Sequence, residues 1–592
     1  MKKREDIEEK YKWDLTPIYK SDDEALVDME TLKDRLELVS KYKGSLGNID
    51  KCLEFLDEEQ ATSKIFNKVG VYLLLKRSED LEKTKYIEME DMLSTLGQKY
   101  SVATAFSDSE ILSYGEEYVM SLINDVRFND YKLGFIELLR GRKHVLNEAE
   151  ETIVSLTSKA MGQYNEVFEN TNVVDMKFDP AIDSKGKKRE LNHDTFSLYM
   201  EDHDRILRKS AFEKLYKSYM DRANIFASNY LGSLYADCFY SKVYKYDSVL
   251  GESLFSDNIP ESLYLKLVEQ VEKHTPLLHK YFKLKKKIMG VKSLEYYDLY
   301  VSICDYNKKF KYEEGVEVVK QAVAPLGADY VSLIDRAVRE RWLDVYPNKN
   351  KDSRCYSCGL YGVHPYVLLH DTGDMESVFT LAHELGHAMH SYFSDNTQVY
   401  TLADYSIFNA EIASTTNEVL LLKYFYNQAK TKKEKIYYLD RYLKMFKSTI
   451  YRQTMFSQFE HFAHTKVEND EPLSKQTMVD YYAELNKKYQ GPAVKPCKEI
   501  SYEWTRIPHF YRPYYVYKYS TGLISAICIA SNILNDTPNA KENYREFLKA
   551  GGSDYPTNIL KIAGVDLTED APYEIAFKEM KWALDELENL IK

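Results

Sequence analysis

Glycine and proline are scarce, at 23 and 15 in 592 residues, where average usage gives roughly 41 and 30. A chain so short of turn formers and helix breakers is expected to be mostly helical. Cysteine is also scarce. The seven, Cys52, Cys238, Cys304, Cys355, Cys358, Cys497 and Cys528, are odd in number and scattered, which excludes a disulfide framework and fits reduced thiols. Basic charge is in deficit: 80 Lys and Arg against 93 Asp and Glu leave −13, a surface that repels phosphate backbones, so no nucleic-acid partner is expected. Long hydrophobic runs are missing as well. The stretch Leu523 to Leu534 is broken by Ser525, Ser531 and Asn532 and is too short to span a bilayer, and the N-terminus has no apolar stretch behind its basic start. These absences predict a soluble, cytoplasmic protein without a membrane partner. With 44% hydrophobic and 29% charged residues, disorder and fibrous structure are excluded. Tyrosine, by contrast, is abundant at 51, so a lone tyrosine carries little functional weight.

Long amphipathic runs fill residues 20 to 170, with Leu32, Leu36, Leu38 and Val39 at near-helical spacing. The texture changes at 172 to 192. Val173, Val174, Met176 and Phe178 alternate, Asp183 to Gly186 reads as a turn, and Lys188 to Leu191 follows, together predicting a β-hairpin. We therefore expect an N-terminal helical domain over 1–192 that ends in this hairpin, and a second helical domain over 193–592. A second extended segment is expected at Gly359 to His370, where Pro365 demotes it to an edge strand able to pair with extended peptide or simply leading into the next helix. Loops are expected at 343–358, 489–498 and 551–557.

One segment dominates the chemistry: Phe379-Thr-Leu-Ala-His383-Glu384-Leu-Gly386-His387-Ala-Met-His390. Val378, Leu381, Leu385 and Ala388 recur every three or four residues, which predicts a helix with a buried face. His383 and His387 then project from one side, about 6 Å apart along the axis. Two imidazoles so placed can converge on one zinc ion, and Glu384 can act as general base on a water held there. Gly386 inside a helix costs about 1 kcal/mol against Ala, so it calls for a close approach by another backbone. A third ligand ten residues after His383 would fall on Phe393, which excludes the metzincin spacing. His390 is too far along the helix to join both histidines and reads as a supporting side chain. The better third ligand is Glu411, 24 residues after His387 on the next helical stretch, with Glu418 two turns further on to orient a ligand histidine.

This string, with Glu411 and Glu418 at these offsets, resembles the M3 family of zinc oligopeptidases (thimet oligopeptidase-like). Tyr11-Lys-Trp-Asp-Leu15, Asn172-Val-Val-Asp-Met-Lys, Tyr346-Pro-Asn-Lys, Val378-Phe-Thr-Leu-Ala-His383 and Arg506-Ile-Pro-His509-Phe-Tyr-Arg-Pro resemble its oligoendopeptidase F branch, in collinear order over nearly the whole chain. The resemblance implies a mostly α, two-lobed molecule with a small β element beside the zinc helix. It also implies a deep channel that admits short peptides, one zinc ion per chain, and cytoplasmic turnover of oligopeptides. Roles in substrate binding and oxyanion stabilisation carry over to His509, Tyr514 and Tyr517, with Tyr511 the alternative to Tyr514. Tyr514 and Tyr517 are expected on one helix face after Pro513. Cys355-Tyr-Ser-Cys358 departs from the family pattern. Without a second such pair it is no structural zinc site, which leaves a redox switch or two ordinary thiols.

The expected activity is therefore zinc-dependent endopeptidase cleavage of short peptides. A metallocarboxypeptidase, anchoring a C-terminal carboxylate on Arg506 or Arg512, and a non-catalytic peptide-binding protein are the alternatives. The intact His383, Glu384, His387 and Glu411 set argues against the latter.

Overall fold

Helices dominate because the apolar residues fall at helical spacing and the ends are capped. A computed structural model of the chain describes residues 2–304 and 306–592. Asn48 accepts hydrogen bonds from the Asp50 and Lys51 amides to start the helix Ile49–Glu79. Asp204 does the same for Arg205–Asp221, and Thr431 with Glu434 forms a reciprocal cap for Lys432–Met445. No helix among the described residues is long and apolar enough to cross a membrane.

The chain forms two compact units, each assembled from three separate stretches. Met1–Lys143, Asn307–Tyr424 and Asn532–Val565 make the first, and His144–Tyr306, Phe425–Ser531 and Asp566–Lys592 the second. The change of texture at 192/193 falls inside the second unit. Local composition marks the hairpin there but not the chain's returns to each core.

In the first unit, the helices Asp22–Val39, Ile49–Glu79 and Thr84–Thr104 share a core with Trp13, Tyr366 and Leu368. Leu32 and Val39 are fully buried, whereas Leu38 is turned outward. A three-stranded sheet lies in the same unit: β3 (Leu343–Asp344), β4 (Tyr356–Cys358) and β5 (Tyr366–Leu368), in the order β3-β5-β4. The first two strands of the chain, β1 (Ala181–Ile182) and β2 (Lys188–Arg189), form the hairpin of the second unit around Gly186, at φ 76.

Three expectations change. Val173 and Val174 do not form the first hairpin strand; they lie in a π-helical turn, Asn170–Asp175, and both are exposed. The strand starts only after Pro180. Of the extended segment expected at Gly359 to His370, only Tyr366–Leu368 is strand, as β5; residues 359–365 connect β4 to β5, with Gly362 at φ 79. Pro365, which has no amide to donate, sits just before β5, and β5 is the central strand, buried on both faces. The edge strands are β3 and β4. Finally, the polar stretch 343–358 is not all loop, because it contributes both β3 and β4.

That polar stretch is ordered by a buried ion cluster. Asp344, 1% exposed, pairs with Lys351 Nζ at 2.7 Å and Arg4 at 2.6 Å. Lys351 also donates to the carbonyls of Leu369 and Tyr346, at 2.7 and 2.9 Å. Burial alone would raise the Asp344 carboxyl; Lys351 and Arg4 outweigh it and hold the group below its usual range. Its stabilisation is present above the unfolded-chain value, about 3.9, and is lost as pH falls through the lower folded value.

In the second unit, Asp298 is fully buried and takes both Arg205 (2.7 Å) and Arg208 (2.9 Å). Asp440 accepts from Tyr281 Oη, Ser302 Oγ and the Ile303 amide at 2.8, 3.1 and 3.2 Å. Helix Lys432–Met445 runs through a π-helical segment, Phe446–Tyr451, into Arg452–Glu468.

Substituting Lys351→Met leaves Asp344 with Arg4 alone. Urea unfolding is expected to register a loss of about 3 kcal/mol, and a loss under about 1 kcal/mol would remove the ion cluster from the account of the sheet.

Candidate metal centre

The motif lies on the helix Met375–Asp395, whose start is fixed by Asp374 accepting from the Ser377 amide at 2.9 Å. Its partner is the helix Ile407–Gln428. The two touch backbone to backbone at Gly386: a Cβ there would stand 2.5 Å from Ser414 Cα and 2.8 Å from the Ala413 carbonyl oxygen. That approach brings Glu411 to the two imidazoles. His383 Nε2 lies 3.2 Å from His387 Nε2, and Glu411 Oε2 lies 3.5 and 3.7 Å from the same two atoms. Tetrahedral bonds of roughly 2.0–2.1 Å would set donors about 3.3 Å apart. The triangle therefore fits a divalent cation in both spacing and donor chemistry. It is the one group of three or more His, Cys, Asp or Glu side chains so placed among the described residues.

The surroundings tune the triangle. Glu418 Oε1 accepts from His383 Nδ1 at 2.6 Å, which turns Nε2 toward Glu411 and makes the ring a stronger base. Burial alone would lower the His383 pKa; the Glu418 hydrogen bond and charge outweigh it and bring it to about 9. On His387, burial and the neighbouring His383 outweigh the Glu411 charge and lower the pKa to about 4. Glu384 is 6% exposed. Burial pushes its pKa up to about 7, and its Oε2 has no hydrogen-bond partner. Asn417 locks the helix pair from behind. Its Nδ2 donates to the Ala382 carbonyl at 3.0 Å and its Oδ1 accepts from Tyr330 at 3.1 Å. Sequence reasoning missed Asn417, although a polar residue inside a buried helix face beside Glu418 is a usable signal.

A family model described as Peptidase family M3 matches residues 198–579, and another described as Oligopeptidase F matches 110–178. The chain is 37% identical to Oligopeptidase PepF of Bacillus subtilis, over 99% of this chain and 88% of that protein. It is 36% identical to Group B oligopeptidase PepB of Streptococcus agalactiae, over 99% and 98%. Among solved structures, oligoendopeptidase-F from Enterococcus faecium superposes with a TM-score of 0.75 at 33% identity, over 96% of this chain and 99% of that one. The chain belongs to peptidase family M3.

In this M3 peptidase His390 stands apart from the triangle. It is 1% exposed and stacked on Tyr405 at 3.7 Å, and burial lowers its pKa to about 3, so it is a neutral packing group. β4 packs against the motif helix, and a Cβ on Gly359 would reach Ser391 at 3.0 Å. Cys355 and Cys358 are both free. Burial raises both thiols, Cys358 to about 11, which makes them poor nucleophiles.

The other named residues of the M3 chain lie in its second unit. His509 is half-buried on a short turn, Pro508–Tyr511, with Tyr519 Oη 3.5 Å from its Nε2 and the Tyr515 ring stacked at 6.0 Å. Burial lowers its pKa. Tyr514 and Tyr517 do not share a helix face. Tyr514 has φ 52 and lies outside the helix, which begins at Tyr517. Left-handed backbone at this residue breaks the run that Pro513 was expected to start. Both rings pack edge-on against Tyr264 at 5.5 Å, and the Tyr514 hydroxyl meets His461 Nδ1 at 3.1 Å. Tyr511 accepts from Asn229 at 3.0 Å. Tyr515 and Tyr519, which flank His509, were hidden from sequence reading by the density of tyrosine around them.

Gly386→Ala forces a methyl group into the Ser414 backbone. Thermal unfolding is expected to show a loss of about 1–3 kcal/mol, and calorimetric titration a weakened divalent-metal affinity. Unchanged affinity would mean that the helix contact does not set the triangle.

Proposed function

We propose that this M3 peptidase is a zinc-dependent endopeptidase of short oligopeptides. The observation that carries the reading is the His383–His387–Glu411 triangle, with donors 3.2 to 3.7 Å apart, on the same helix pair as the buried Glu384, whose Oε2 has no hydrogen-bond partner. His383, His387 and Glu411 would hold the ion, and Glu418 would hold His383 in register. Bound there, zinc supplies Lewis-acid polarisation of the scissile carbonyl and makes water a better nucleophile at neutral pH.

The remaining work belongs to the chain. Glu384, with a pKa raised to about 7 by burial, is suited to take a proton from water and return it to the departing amine nitrogen. The water oxygen joins the carbonyl carbon, the C–N bond breaks, and the proton carried by Glu384 completes the new amine. The proposed donors to the developing oxyanion are His509, Tyr514 and Tyr517, a role supported by the family pattern. Of these, His509 has the most accessible side chain. The free edge of β4 is the proposed partner for extended substrate backbone. Restriction to short peptides and cleavage at internal bonds are supported by the relatives named oligopeptidase and oligoendopeptidase. The odd number and scatter of the seven cysteines support a reducing, cytoplasmic setting.

Glu384→Gln is expected to keep stoichiometric zinc by metal analysis while kcat falls by about 10²–10⁴; undiminished turnover would end the general-base assignment. Internally quenched peptides blocked at both ends are expected to be cleaved within the chain, with mass spectrometry locating the cut. A chelator should stop that cleavage and added zinc restore it. If blocked peptides survive while free C-termini are trimmed, the enzyme is a carboxypeptidase.

A further inference from the structure

The second unit encloses a cavity with largely aromatic walls, among them Phe196 and Tyr300, into which Lys447, Arg452, Glu503 and Arg506 also face. Its free space holds about two water-sized atoms. Glu503 is 1% exposed and already well served, taking Tyr482 Oη at 2.7 Å, Tyr216 Oη at 3.3 Å and the Arg452 guanidinium at 2.8 Å. Arg506 comes no nearer to that carboxylate than 3.7 Å, beyond hydrogen-bond reach, and its Nε is buried without a hydrogen-bond partner. Lys447 donates to the Leu299 carbonyl at 3.1 Å and lies 3.7 Å from the Tyr300 ring centre. The other buried carboxylates of this unit have partners elsewhere: Asp298 pairs with Arg205 and Arg208, Asp440 with Tyr281 and Lys444, Asp183 with Arg189, and Glu460 accepts from the Tyr514 amide at 2.7 Å through Oε1.

The count is therefore two guanidiniums and one ammonium against one carboxylate. Burial drives the Lys447 ammonium well below its usual range, yet with Lys447 neutral the two guanidiniums still exceed Glu503 by one charge. Lys447 is buried at 7% exposure and the Arg452 and Arg506 side chains keep 22% and 21%, so the excess cation is only partly hydrated, and a small anion in the space removes the imbalance. The backbone here is also unusual. Lys447 sits in the π-helical segment Phe446–Tyr451, and Glu503 and Arg506 in an eight-residue 3₁₀ helix, Glu499–Arg506. Such segments are rarely long, and π turns gather at functional sites. Ser520 Oγ donates to the Thr449 and Ile450 carbonyls, both at 3.1 Å, and so supports the π turn that carries Lys447.

We propose that this cavity binds a small monovalent anion, of halide or formate size, between Lys447, Arg452 and Arg506. The ion ties the π turn to the 3₁₀ segment that leads into His509. This inference does not depend on the peptidase reading, and its test does not measure activity.

The full chain is melted at constant ionic strength in sodium gluconate, whose anion is too large for the space, with chloride, bromide or formate substituted stepwise. A saturable rise of about 3 °C in Tm is expected with the small anions, and Lys447→Gln or Arg506→Gln should flatten it. Crystals grown in bromide and measured at its absorption edge should give an anomalous peak between the three cations, absent in Lys447→Gln. Equal Tm values in gluconate and chloride, a dependence that survives unchanged in Lys447→Gln, or density without anomalous signal, meaning a water bridging Arg506 to Gln490, a residue of the cavity wall whose Oε1 has no hydrogen-bond partner, would each overturn the proposal.

Discussion

Two helices can touch backbone to backbone only where nothing but hydrogen projects between them. Gly386 provides that single place, and the triangle of His383, His387 and Glu411 follows from it. Were the helices held apart by side chains, Glu411 would stand short of the imidazoles. The close crossing also lets Glu418 reach His383 Nδ1 and lets Asn417 reach the Ala382 carbonyl. One contact thus sets the ligand spacing, the ring orientation and the clamp behind the pair. Electrostatics then divides the labour between neighbours on one helix: the carboxylate partner keeps His383 strongly basic, whereas dry surroundings raise Glu384 toward neutrality.

The site was more legible in the sequence than the fold around it. His383, Glu384 and His387 declare themselves by helical spacing, and Gly386 by its cost in a helix interior. Glu411 and Glu418 declare themselves by sharing a face two turns apart. These are local signals, and helix geometry turns them directly into positions. The sheet was harder to read. Asp344 and Lys351 look like loop residues in a polar stretch, because nothing local says that they will be buried against Arg4. Pro365 pointed to an edge strand, but the strand that begins just after it, β5, is the central one, because the proline itself lies outside the ladder. Tyr514 was assigned to a helix because Pro513 is a plausible start, while the left-handed backbone at Tyr514 is set by packing from other segments.

The abundance of tyrosine acquires a physical meaning in the second unit. Tyr216, Tyr281 and Tyr482 are buried rings whose hydroxyls donate to buried carboxylates, Glu503 or Asp440. Tyrosine gives such a core its apolar volume while supplying donors that buried acids require. A phenylalanine at these positions would fill the same space and leave the acids undersupplied.

The interleaving of the two units has a consequence for biosynthesis. The first unit takes its last stretch from Asn532–Val565 and the second from Asp566–Lys592, so neither is complete until these late stretches have left the ribosome. Domains that fold one after another as they emerge escape this delay. Here both cores must wait, with their apolar faces open, for the stretches that begin at Asn532.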